Sequence, residues 1–126
     1  MGRVYSEVKV DTRSLWALFD TGSRNSYVTR HTVDGLPLRR LPVARFVGLE
    51  GEHRNLEDIC DLLGAEIEGK TVDLQAYVIE NLGQADNNRP LDMIFGALAM
   101  QQWGIHPVPE KECLDLSMYP KEFIEY

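Results

Sequence analysis

Apolar and polar residues alternate with a period of two along most of the chain, the pattern of strands with one face buried and the other wet. Val4, Val8 and Val10 alternate with Tyr5, Glu7 and Lys9, and Asp11-Thr12-Arg13 turns the chain into an apolar run at 15–19, so an opening hairpin is expected. A short strand follows at 26–29. After a Gly-Leu-Pro break at 35–37, residues 38–47 read as extended and lead into a glycine-marked hairpin tip at Gly48-Leu49-Glu50-Gly51. Alternating runs at 59–67 and 72–78 flank Glu68-Gly69-Lys70 and predict another hairpin. A polar loop at 83–90 precedes the apolar run 91–95. Only 97–103 is helix-compatible, with Gly104 as its stop, and Leu114, Leu116 and Met118 are expected to close the sheet as a last strand. The pattern predicts a mainly β fold with one short helix towards the C-terminus.

Composition narrows the possible partners. The 126 residues suit a single domain spanning 1–126, with 44% hydrophobic and 26% charged residues, a globular mix. Thirteen Lys and Arg against 20 Asp and Glu give a formal charge of −7, which argues against nucleic acid as a partner. The longest unbroken apolar stretch, 15–19, is far too short to span a bilayer and no signal peptide is evident, so no membrane association and a cytoplasmic location are expected. Cys60 and Cys113 form no CxxC pair, and His31, His53 and His106 stand at no metal-ligand spacing with them. Neither a metal nor a cofactor is expected.

The strongest chemical signal is the apolar run Leu15-Trp16-Ala17-Leu18-Phe19 passing directly into Asp20-Thr21-Gly22-Ser23. An isolated Asp-Thr-Gly is most often a side-chain turn at a strand end. Here the strand is apolar on both faces, which sets Asp20 at the rim of a buried region where an unpaired carboxylate is costly. A second segment, Met93-Ile94-Phe95-Gly96, runs two apolar residues and a glycine into the expected helix.

Taken together with Ser26-Tyr27-Val28 and the glycine-marked segment 46–53, these motifs resemble the retroviral-type aspartic proteases, the retropepsins, in order and spacing over about residues 4–118. The resemblance implies a closed, mainly antiparallel β barrel-like fold with one short C-terminal helix, and an aspartic endopeptidase acting on a peptide or protein substrate. It also implies a homodimer, because one chain carries a single Asp-Thr-Gly and the reaction needs two carboxylates. Asp20, Thr21 and Gly22 would be the catalytic motif, with Asp20 and its symmetry mate activating a water, Thr21 fixing the loop and Gly22 admitting the substrate backbone. Ser23, Phe46, Val47, Gly48, Leu49, Glu50, Gly51, Ile94, Phe95 and Gly96 would contact substrate, those at 46–51 as a flap closing over it. Retroviral members often carry an acid two positions after the motif glycine and an Arg after the second glycine. Arg24 and Ala97 occupy those positions here.

Two other readings stay open. One keeps the fold without the reaction, as a catalytically weak or inactive dimerisation or peptide-binding module of a larger protein. The other is nucleotide binding, since residues 64–71 fit G-x-x-x-x-G-K-[ST]. Glu66 and Glu68 would set two carboxylates beside the phosphates, and the alternation of Val72, Leu74, Ala76 and Val78 predicts a strand where that motif needs a helix. Met1-Gly2 begins an N-myristoylation pattern, but no basic cluster supplies a second membrane signal. Acidic Glu50 and Glu52 and the overall charge predict that acidic peptides are repelled.

Overall fold

The computed structural model describes residues 3–49 and 51–121. The chain begins with two tight hairpin partners, β1 (Tyr5–Val10) and β2 (Arg13–Phe19), joined at Asp11, whose φ of 54° is the left-handed conformation such turns require. Then come β3 (Ser26–Thr29), β4 (Leu38–Leu49), β5 (Glu52–Ile67), β6 (Lys70–Ile79) and β7 (Met93–Phe95). Helix α1 (Ala97–Trp103) follows, then β8 (His106–Val108) and β9 (Cys113–Asp115).

The strands pair in the order β1-β2-β7-β3-β6-β5-β4, and an additional contact between Lys9 of β1 and Glu66 of β5 closes six of them into a barrel. The fold is mainly β and retropepsin-like. Most barrel junctions are antiparallel, but β2–β7 and β3–β6 are parallel. Those two pairings make the middle of the sheet different in kind from its flanks. Along β2, Leu15, Ala17 and Phe19 enter the main core while Leu18 enters a second cluster with Tyr27, Leu56, Ile79 and Ile94. On β7, Met93 and Phe95 face the first and Ile94 the second. β2, β7 and β3 are thus buried on both sides, as parallel strands usually are, whereas β5 and β6 alternate between core and solvent.

The helix ends where its sequence says it should, with Gly104 in the left-handed conformation at φ 65° and its N–H bonded to the Met100 carbonyl. The expected last strand is corrected. Leu114 lies in β9, which pairs with β8 in a separate two-stranded sheet, and Met118 is exposed. Closure comes instead from β1 and β5, a pairing between distant segments that alternation alone cannot specify.

Residues 64–71 form the expected β5–β6 hairpin, and strand β6 stands where a phosphate-binding motif needs a helix. Gly64, at φ 68°, sits within a register shift between Leu62 and Ala65, and its N–H donates to the Asp73 carboxylate at 2.7 Å. Its glycine serves a β-bulge. Glu68 and Gly69, both at positive φ, make the turn.

Candidate active site

Phe19 pairs with Phe95 in the parallel β2–β7 register, so the residues that follow each strand, Asp20 and Gly96, emerge side by side. Their rings stack at 4.8 Å within the core, which fixes both strand ends. The Asp20 N–H donates to the Phe95 carbonyl at 3.1 Å, tying the acid to β7. Beyond it the chain turns tightly, the Ser23 N–H donating to the Asp20 carbonyl at 3.1 Å and the Gly22 N–H to Asp20 Oδ1 at 2.9 Å. Asp20 is half-buried, and its carboxylate is held from below by its own turn with Thr21 and Gly22 exposed above. Among the described residues, no cation pairs with Asp20.

The turn is anchored on the helix. The first N–H groups of a helix have no intrahelical acceptor. In α1, Ala97 N–H donates to the Ser23 carbonyl at 2.7 Å and Leu98 N–H to the Arg24 carbonyl at 3.1 Å. Gly96 N–H donates to the buried Ser26 Oγ at 2.9 Å. Strand, acid-bearing loop and helix start are therefore one hydrogen-bonded unit. Gly96 is required by the close approach: a Cβ there would lie 2.2 Å from the Asn25 carbonyl oxygen.

Asp20, Thr21, Gly22 and Ser23 line an open cleft of about 700 Å³, together with Gly48, Leu49 and Ile94. Of the other residues expected to touch substrate, Phe46 is 76% exposed on β4 away from the cleft, and Val47 packs against the second cluster. Gly51, at φ 77°, forms the β4–β5 hairpin tip outside the lining, and Glu50 lies outside the described residues, as do Met1 and Gly2. Phe95 is fully buried in the core, and Gly96 acts as the packing point beneath the loop.

The cleft also contains residues that the sequence analysis does not assign to substrate contact, among them Arg3, Leu18, Arg24, Asn25, Tyr27, Pro107 and Pro109. Leu18 and Tyr27 were detectable in principle, since each shares a strand face with the cleft side. Pro107 and Pro109 arrive from the β8 region and carry no local signal. Burial pushes the Tyr27 hydroxyl above its ordinary value, with a hydrogen bond to Asn25 acting the other way, so it stays a protonated donor at neutral pH. The charged residues in the described lining are Asp20, Arg3 and Arg24.

Ser23 is the hydroxyl best placed for covalent chemistry, but its Oγ donates to the Asn25 carbonyl at 2.9 Å and no His, Lys or Cys shares the described lining. Among the described lining residues it therefore lacks the His, Lys or Cys partner that commonly serves an activated serine. Among the described residues no group of three His, Cys, Asp or Glu is arranged to hold a metal ion, and no helix is long and apolar enough to cross a membrane.

The chain is similar in fold to the retroviral protease-like domain of Ddi1 from Leishmania major. The two share 18% sequence identity and a TM-score of 0.61, over 93% of this chain and 90% of that one. At that identity the likeness is one of fold. No protein-family model and no curated protein sequence matches the chain.

Proposed function

We propose, taking the retropepsin-like fold and its Asp20 cleft as the premise, that the chain is an aspartic endopeptidase of the retropepsin type that works as a homodimer. The observation that carries the reading is a half-buried carboxylate, in no salt bridge among the described residues, held in an open cleft by its own turn and by the start of α1. A lone carboxylate can accept a proton from water but leaves the scissile carbonyl without a donor. Two such groups a few ångströms apart cannot both ionise readily and share one proton. One then takes the water's proton while the other carboxyl hydrogen-bonds the carbonyl oxygen, giving a tetrahedral diol that collapses with protonation of the leaving amine.

Asp20 from each of two chains supplies the pair. Thr21 and Gly22, exposed above the carboxylate, face the second chain and the substrate backbone. Leu18, Tyr27, Leu49 and Ile94 offer an apolar lining to the side chains flanking the cut, and the β4–β5 hairpin brings Gly48 and Leu49 over an extended peptide.

Dilution tests the reading. With half a site per chain, specific activity on a peptide substrate should fall as sizing shows dimer giving way to monomer, and a statine-type peptide should inhibit. Activity proportional to concentration through the monomer range would reject it. A second reading is favoured by the neighbour's own description as a domain of a named protein: the same fold serving a larger protein as a dimerisation or peptide-binding module. That module would dimerise and bind peptide without hydrolysing it.

A further inference from the structure

We propose that Arg24 is a specificity-determining residue that selects peptides with an acidic side chain flanking the apolar pair at the cut. The inference rests on the reading of the Asp20 cleft as a peptide site. Arg24 lines that cleft two residues beyond Gly22, and it is exposed. Its backbone is fixed by the carbonyl bond from Leu98 N–H at 3.1 Å, so the side chain projects from an anchored position.

What distinguishes Arg24 is its lack of a partner among the described residues. Arg30, Arg39, Arg40, Arg54 and Arg89 are in salt bridges, Arg13 donates to the Thr32 carbonyl and Arg45 to the Tyr77 hydroxyl. Among the described residues, Arg24 forms neither a salt bridge nor a side-chain hydrogen bond. Acids are available nearby. Asp61 and Asp73 line a groove of about 410 Å³ on the other side of Arg24. Both are already engaged: Asp61 takes two hydrogen bonds of 2.8 Å from Arg39, and Asp73 accepts from Gly64 N–H at 2.7 Å. Among the described residues no acid pairs with the Arg24 guanidinium.

A guanidinium presents a planar fork that matches a carboxylate, and it stays charged at every working pH. The chain's net charge of −7 opposes acidic peptides at long range, but that field is screened beyond about 8–10 Å in ordinary salt. At contact distance Arg24, without a salt bridge among the described residues, decides the sign. Overall acidity, which predicts repulsion of acidic peptides, is therefore a poor guide to preference at this cleft.

The test uses peptide pairs that share one apolar pair and carry Glu or Lys two or three residues from it. Their hydrolysis is measured with the wild-type chain and with Arg24→Glu. Wild type should favour the Glu peptide by about three- to tenfold in kcat/KM, the range between an exposed and a bidentate ion pair. Arg24→Glu should reverse the order. Binding of reduced-amide versions, which cannot be cut, is measured by calorimetry in parallel. No hydrolysis combined with tighter, Arg24-dependent binding of the Glu peptide would refute the peptidase reading and uphold this inference. Equal preference for Glu and Lys peptides in both proteins would overturn it. So would a change in dimer dissociation with an unaltered Glu-to-Lys ratio, which would assign the guanidinium to the interface between chains.

Discussion

Replacing Gly96 by Ala tests whether strand end, acid-bearing loop and helix start are one unit. The added Cβ would lie 2.2 Å from the Asn25 carbonyl oxygen, 2.5 Å from its carbon and 2.9 Å from the Arg24 carbonyl oxygen. All three are backbone atoms, so no rotamer change relieves the overlap. Restoring normal contact requires the loop to retreat by roughly 1 Å. Overpacking of this kind costs about 1–3 kcal/mol. The retreat also stretches the bonds from Ala97 N–H to Ser23 and from Leu98 N–H to Arg24, now 2.7 and 3.1 Å, at about 1 kcal/mol each. The lower chain entropy of Ala in the unfolded state offsets about 0.4–1 kcal/mol. The expected net loss is about 2–4 kcal/mol, read as a lower urea midpoint with unchanged slope and a melting temperature lowered by roughly 10 °C. Because the loop carries Asp20, activity should fall further than the unfolded fraction explains. Destabilisation under about 1 kcal/mol would refute the packing argument.

Asp92→Ala should cost about 2–3 kcal/mol, because Asp92 accepts from Trp16 N–H at 2.8 Å and from the Thr32 hydroxyl at 3.3 Å; Asn should recover part of the loss, and denaturation curves that leave Ala equal to wild type would contradict this. The Arg39 hydrogen bonds hold the Asp61 carboxyl below the usual carboxylate range. Whatever stability that pair adds is present above the unfolded carboxyl's pKa and is lost as pH falls through the lowered folded value. Carbon-detected NMR titration should find Asp61 protonating at lower pH than an exposed Asp and returning towards the ordinary value in Arg39→Gln. Unchanged titration in that variant would reject the pairing.

Local features of the fold were legible wherever neighbouring residues determine them. Gly104 stopped the helix because only a left-handed residue ends it there, and Glu68-Gly69 turned β5 into β6 because both can take positive φ. Asp20 could be singled out because it follows a strand apolar on both faces, and Gly96 through the resemblance of Met93-Ile94-Phe95-Gly96 to a family motif. Partnership between distant segments was not legible. Period-two alternation gives the faces of a strand but not its neighbour, so β1–β5 closure was missed and the Leu114–Met118 region was misassigned. The bulge at Gly64 sends Leu63 into solvent while Leu62 and Ala65 stay buried, a break in alternation that a regular pattern conceals. Phe46 is a comparable case. It is exposed on β4, whose pairing with β5 shifts register between Arg40 and Arg45.

Hydrolysis of a peptide library by the wild-type chain and by Asp20→Asn, read by mass spectrometry at several pH values, addresses the central claim most directly. Asn preserves the shape of the carboxylate and can still accept the 2.9 Å bond from Gly22 N–H, so the two proteins should melt and dimerise alike. An amide can neither take a proton from water nor share one with its mate. Wild type should cut the library with a bell-shaped pH dependence belonging to the pair, and Asp20→Asn should leave it intact. Cleavage of the same bonds by Asp20→Asn at a comparable rate would contradict the account.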